Sequence, residues 1–226
     1  MDDIKNKPKS VRPPNPYFQA IIWTVLIFFV VGVLTFSVYR YWRSIYLTSK
    51  GNLPALRTIE PFSFTERSGK TITNRDLQGK VWVANFIFTE CPGICQNMSG
   101  QFAQLQKILR KTKEVRLVSF SIDPHTDTPE VLTTYAERFQ ADPDRWLFLT
   151  GDLKKIHQLA VKSFLLPIDE NPPEAVPANG KYLHSSRFVL VDSHGMIRGY
   201  YDGSEPEALQ KLTLDIGFIM REGGSN

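Results

Sequence analysis

From Phe18 to Val38 the chain reads FQAIIWTVLIFFVVGVLTFSV, 21 consecutive residues without a charge. Such a run is apolar on every side and has no polar face to turn toward water. Its length matches the ~20 residues an α-helix needs to cross the hydrocarbon core of a bilayer. A cleaved signal peptide would carry a shorter apolar core of ~7–15 residues and a small-residue cleavage site. Here Tyr39, Tyr41, Trp42 and Tyr46 follow instead, residue types that settle at a membrane interface. The chain is therefore expected to divide into four parts. These are a cytoplasmic tail (1–17), a transmembrane anchor held in the lipid bilayer (18–39), a juxtamembrane linker (40–58) and a folded domain (59–226).

Basic residues flank the anchor on both sides. Lys5, Lys7, Lys9 and Arg12 precede it, and Arg40, Arg43 and Lys50 follow. The bias is only four to three. The 176 residues after Lys50 lead instead to the expectation of an inside N-terminus and a translocated domain, as in a signal-anchor. The domain would then stand in an oxidising compartment where a disulfide is permitted. With no extended transit peptide before the span, a bacterial inner membrane with the domain in the periplasm is expected. The alternative is a mitochondrial inner membrane with the domain facing the intermembrane space. The net charge of +4 belongs to this end of the chain, because residues 51–226 hold 20 Lys+Arg against 21 Asp+Glu. No basic stripe with interleaved aromatics occurs, which argues against a nucleic-acid partner.

Beyond the anchor, Gly51–Glu60 reads as linker, and Pro61–Thr65 as a strand turning at Ser68-Gly69. Thr71–Leu77 reads as a brief strand and one helical turn. Val81–Phe88 is an almost unbroken apolar run, as in a strand covered on both faces of a parallel sheet. A helix should follow, since Ile94, Met98, Phe102, Leu105, Ile108 and Leu109 recur at three- and four-residue steps. Val115–Ile122 reads as a second buried strand. Thr128-Pro129-Glu130 then supplies an N-cap, a proline at the first helical position and an acidic first turn. Val131, Leu132, Tyr135 and Phe139 give that helix its inward face. Trp146–Leu149 reads as a strand, Asp152–Phe164 as a helix and Leu165–Leu183 as a long proline-rich loop. A hairpin turning at Asp192-Ser193-His194-Gly195 and a helix over Glu205–Met220 complete the chain. Alternating strands and helices followed by a hairpin predict one α/β domain with a mixed sheet.

The only two cysteines, Cys91 and Cys95, stand between the first long strand and its helix, in the turn CPGIC. Pro92 suits the first helical position, which makes Cys91 the expected N-cap and puts Cys95 on the same face one turn later. At a rise of ~1.5 Å per residue, the Cα atoms would lie ~6 Å apart, within reach of a disulfide. The positive end of a helix also favours the thiolate form. Such a pair suits disulfide exchange or soft-metal ligation, and a plain structural disulfide is the simpler rival. The spacing is C-x3-C rather than the C-x2-C of the thioredoxin redox motif. Soft thiolates select Cu(I) or zinc, imidazole suits copper too, and two sulfurs call for a third ligand. His157 sits in a helical pattern, His194 in the hairpin turn and His125 between Asp123 and Asp127. His184 stands where the long loop meets a strand, and position alone makes it the leading candidate.

Three segments carry a resemblance that runs from about Ile59 to Phe218: FTECPGIC (Phe88–Cys95), SIDPHTDTPEVLTTYA (Ser121–Ala136) and YLHSSRFVLVD (Tyr182–Asp192). Together with the anchor they resemble the SCO/SenC family of membrane-anchored copper proteins. The resemblance implies a thioredoxin-like fold, a mixed sheet flanked by helices over 59–226. It also implies a role in assembling the CuA centre of cytochrome c oxidase subunit II. The family's metal ligands fall on Cys91, Cys95 and His184. Its acidic segment falls on Asp123 and Asp127, near the site but not ligating. Many members have proline after the second cysteine; this chain has Gln96.

The first functional expectation is a metallochaperone that passes copper, Cu(I) or Cu(II), to subunit II or another copper-accepting protein. The second is a thiol-disulfide oxidoreductase in which Cys91 and Cys95 reduce the cysteines of the CuA-site protein. A thiol peroxidase is a third reading: Thr89 lies two residues before Cys91, whereas peroxiredoxins place a threonine three before the reactive cysteine.

Overall fold

The structure is a computed structural model that describes residues 16–48, 53–91, 93–166, 185–205 and 207–223. It separates into two compact units, Met1–Gly51 and Asn52–Asn226. In the first, helix α1 spans Pro16–Thr48. Its Gln19–Arg43 stretch contains an 18-residue window with a mean hydropathy of 2.6 and is long and apolar enough to cross a membrane. Trp23, Phe28, Phe29 and Phe36 all lie exposed on it, as expected of a helix without a polar face.

The second unit is built on one eight-stranded mixed sheet in the order β1-β8-β7-β4-β5-β6-β2-β3. Its strands are β1 (Arg57–Thr58), β2 (Ser63–Glu66), β3 (Thr71–Thr73), β4 (Val81–Ile87), β5 (Val115–Ser121), β6 (Trp146–Thr150), β7 (Arg187–Val191) and β8 (Met196–Asp202). Strands β4, β5 and β6 are parallel, and the remaining pairings are antiparallel. All seven residues of β4 are buried, which is why its sequence shows no alternation.

Each face of the sheet carries an aromatic layer. Trp82, Phe86 and Phe120 project to one side and meet Phe62 and Phe164. On the other, helix α2 (Ile94–Ile108) lays Phe102 against Trp146 and Phe188, and helix α3 (Pro129–Arg138) lays Tyr135 against Phe148. Helix α4 (Leu153–Gln158) continues into a π turn over Leu159–Ser163, and helix α5 (Ala208–Gly223) packs on β8 and α2.

Several local expectations hold. The Thr128 side chain accepts the Val131 amide with Pro129 at the helix start, and a one-turn 3-10 helix follows β3. In the hairpin turn the Asp192 carboxylate accepts the His194 and Met196 amides, while Gly195 takes φ 77°, where glycine carries no steric cost. Others are corrected. Arg57–Thr58, read as linker, pairs with β8; two exposed residues at a sheet edge leave no apolar pattern to detect. The helix expected over Asp152–Phe164 widens into a π turn at its end, which brings Phe164 fully into the aromatic layer. Ile94 and Ile108, assigned to the inward face of α2, lie exposed, as does Val131 on α3. Side chains at helix ends reach past the sheet that the middle turns cover.

Candidate functional site

The two cysteines lie where β4 runs out. The chain leaves Ile87 and makes a turn closed by the Cys91 amide donating to the Phe88 carbonyl at 3.3 Å. Only after this turn does α2 begin, at Ile94 with Gly93 as its N-cap. Cys91 is therefore not the N-cap in position, and Pro92 lies outside the described residues. Cys91 nonetheless caps through its side chain: the Cys95 amide donates to its sulfur at 3.5 Å, meeting one of the free N–H groups of the first turn. Gln96, in the position where proline was noted, sends its side-chain amide to the Cys91 carbonyl at 3.5 Å.

Both cysteines are unpaired thiols and both are buried, 3% and 4% exposed. Burial, joined by the hydrogen-bonding contact with Cys91, pushes the Cys95 thiol well above its ordinary range. This corrects the expectation of a thiolate-rich helix entrance at Cys95. The helix end favours negative charge, but removing a thiolate from water costs more here.

Asp127 is fully buried and joins two segments. Its carboxylate accepts the Thr89 hydroxyl at 2.5 Å, the Thr89 amide at 3.2 and 3.3 Å, and the Ser121 hydroxyl at 2.5 Å. Burial nevertheless raises its pKa, with the three hydrogen-bond donors opposing. Asp123 shapes the same loop through its backbone, since its carbonyl accepts the amides of Thr126 and Asp127. From α3, the Tyr135 hydroxyl reaches the Cys95 carbonyl at 3.4 Å and lies 2.9 Å from Ser99 Oγ. Burial pushes the Tyr135 hydroxyl up to about 12.

Asp127 thus comes to the cysteine turn through Thr89, and Asp123 frames it. His125 and His194 are exposed, His157 is half-buried on α4, and His184 lies outside the described residues. Among the described residues, no group of three His, Cys, Asp or Glu side chains stands ready to hold a metal. The donors at hand are two sulfurs, a soft set that fits a soft ion, and the Asp127 carboxylate is occupied by its own hydrogen bonds. Sequence reasoning missed Ser99, Ser121 and Tyr135 and read Thr89 only as a peroxidase signal. The segment SIDPHTDTPEVLTTYA contains two of the four, but it does not show which of its side chains turn toward the turn.

The SCO1/SenC family model matches residues 51–215. The SCO1 protein homolog of Bacillus subtilis is 36% identical over 160 residues, covering 70% of this chain and 80% of its own. BsSco, described as a member of the Sco family of cytochrome c oxidase assembly proteins and as having a disulfide switch, aligns at 33% identity. Its TM-score is 0.62, over 74% of this chain and 95% of that one. Arabidopsis thaliana ScoI, solved with copper bound, aligns at 26% identity and TM-score 0.59, over 72% and 98%. The fold is that of the Sco thioredoxin-like proteins. By the match over most of its length, this chain belongs to the SCO1/SenC family.

Proposed function

We propose that this chain is a membrane-anchored copper-handling protein that serves cytochrome c oxidase assembly. Cys91 and Cys95 bind copper as thiolates, and His184 completes the site as an imidazole. Asp123 and Asp127 support the loop beside it without ligating. The observation that carries this reading is the pair of free sulfurs on either side of one helix entrance, in a family whose members include a copper-bound relative. Helix α1 anchors the domain in the bilayer, on the periplasmic side of a bacterial inner membrane. The recipient is cytochrome c oxidase subunit II or another protein that presents its own soft ligands.

Copper is cargo here. Two thiolates and one imidazole hold copper in a low-coordinate site, so a partner's sulfur or imidazole can enter before the first bonds break. Binding expels the thiol protons, and the buried Cys95 must give up its proton to the incoming ion.

The companion reading is thiol-disulfide exchange, favoured by the unpaired thiols one turn apart and by the disulfide switch of BsSco. One thiolate attacks a target disulfide, and the second resolves the mixed disulfide. The target gains two thiols while Cys91 and Cys95 form a disulfide, a transfer of two electrons. That oxidation also removes the copper site. Titration of the full-length chain in detergent with Cu(I) against a chromophoric chelator tests the first reading. Wild type should bind stoichiometrically, and Cys91→Ser or Cys95→Ser should abolish binding. His184→Ala should weaken it; an unchanged affinity removes the imidazole from the ligand set.

A further inference from the structure

The two cysteines are held from α3 and the loop that leads into it by two sets of hydrogen bonds that share no side chain. The parallel ladder between β4 and β5 ends at the pair Ile87 and Ser121, with one further bond from the Ile122 amide to the Ile87 carbonyl. Beyond that point no strand among the described residues pairs with the Cys91 turn. Asp127, two residues before α3, takes over: its carboxylate gathers the Thr89 amide and hydroxyl on one side and the Ser121 hydroxyl on the other. Thr89 lies two residues before Cys91, inside the turn that the Cys91 amide closes on Phe88. Two turns along α3, Tyr135 reaches the Cys95 carbonyl and Ser99 on the next turn of α2. Asp127, Ser121, Ser99 and Tyr135 are buried and Thr89 is half-buried, which makes these hydrogen bonds costly to lose.

We propose that Asp127, acting through Thr89, and Tyr135, acting through the Cys95 carbonyl and Ser99, are positioning residues that set Cys91 and Cys95 separately. Neither touches copper or a substrate sulfur. Their effect is on where each sulfur stands, and so on how the pair meets an ion or closes into a disulfide. The inference rests on the reading of Cys91 and Cys95 as the reactive pair, but the arrangement of clamps can be measured without copper.

The buried thiols react with an alkylating agent only when their own segment opens, so each rate reports local opening. The full-length reduced chain in detergent is treated with iodoacetamide, and modification of Cys91 and Cys95 is resolved by peptide mass spectrometry. Loss of one hydrogen bond should speed the affected thiol about three- to tenfold. Thr89→Val should accelerate Cys91 and leave Cys95 near wild type, and Tyr135→Phe should do the reverse. Thr89→Ser, which keeps the hydroxyl, should restore the wild-type Cys91 rate. Equal acceleration of both thiols in either variant, or no acceleration in both, overturns the inference. Cu(I) competition on the same variants gives the second readout, with affinity expected to fall in each. If wild type binds no copper, the proposed function fails while the alkylation pattern still decides the clamps. If wild type binds copper and the variants match it in both measurements, only the clamps fail.

Discussion

Asp127 and Asp215 are both buried carboxylates, 0% and 5% exposed, and burial raises the pKa of each. They are satisfied in different ways. Asp127 accepts hydrogen bonds from Thr89 and Ser121, residues at the exits of two neighbouring strands, and continues by side chain the connection that the ladder no longer makes. Asp215, on α5, accepts a hydrogen bond from the Tyr201 hydroxyl of β8 at 2.7 Å, with Lys211 nearby also favouring its charge. Around Asp215 the helix already rests on apolar contacts, since Leu212 and Ile216 are fully buried. The contrast separates a carboxylate that organises backbone from one that satisfies a hydroxyl between elements held by packing. Burial is nearly the same in the two cases; the number of segments joined is what differs.

Removing the Asp127 carboxylate on one side and the hydroxyl that Asp215 accepts on the other gives the widest separation. Asp127→Ala leaves two hydroxyls and an amide short of an acceptor and should cost about 2–4 kcal/mol. Urea unfolding of the full-length chain measures it, and a loss under about 1 kcal/mol would take away the organising role. Tyr201→Phe should cost less, about 1–2 kcal/mol, because only one hydrogen bond is lost and the packing of α5 remains. A cost equal to that of Asp127→Ala would erase the distinction.

A smaller effect sharpens the Asp215 side. Its folded pKa lies above the ordinary carboxyl value, so between the two values the folded chain holds a proton that the unfolded chain has released. Stability from this group is therefore present at low pH and is lost as pH rises from about 4 through the raised pKa. Asp215→Asn keeps an acceptor for Tyr201 and should abolish that loss, so its unfolding midpoint should gain on wild type between pH 4 and 7. Asp127 contributes with the same sign in both proteins and drops out of the difference. The smallest effect concerns the cap beside Asp127. Thr128→Ala removes a long bond, 3.4 Å, to the Val131 amide and should cost about 0.5–1 kcal/mol. If instead it matches Asp127→Ala, the clamp depends on the start of α3 rather than on the carboxylate.

Much of this was legible in the chain. The strand at Val81, the helix start at Thr128-Pro129 and the hairpin around Asp192 each rest on residues within a few positions of one another. The cysteine pair was legible because no other cysteine competes with it. Thr89 and Asp127 are 38 residues apart, and Ser99 and Tyr135 are 36, so no local pattern joins them. The start of α2 was misplaced for a local reason: a backbone hydrogen bond from the Cys91 amide to the Phe88 carbonyl closes a turn ahead of the helix, and the proline signal alone does not show it.

The sequence by itself determined an apolar segment of membrane-spanning length, a mixed α/β domain and a lone thiol pair at a helix entrance. Those follow from residue type and spacing, which act over one or two turns. Only the tertiary structure decided that Ile94 faces outward, that Asp127 holds the cysteine turn and that the Cys95 thiol is raised rather than lowered. Desolvation and buried hydrogen bonds depend on what the rest of the chain packs around a group, and distant segments supply that packing only after they fold.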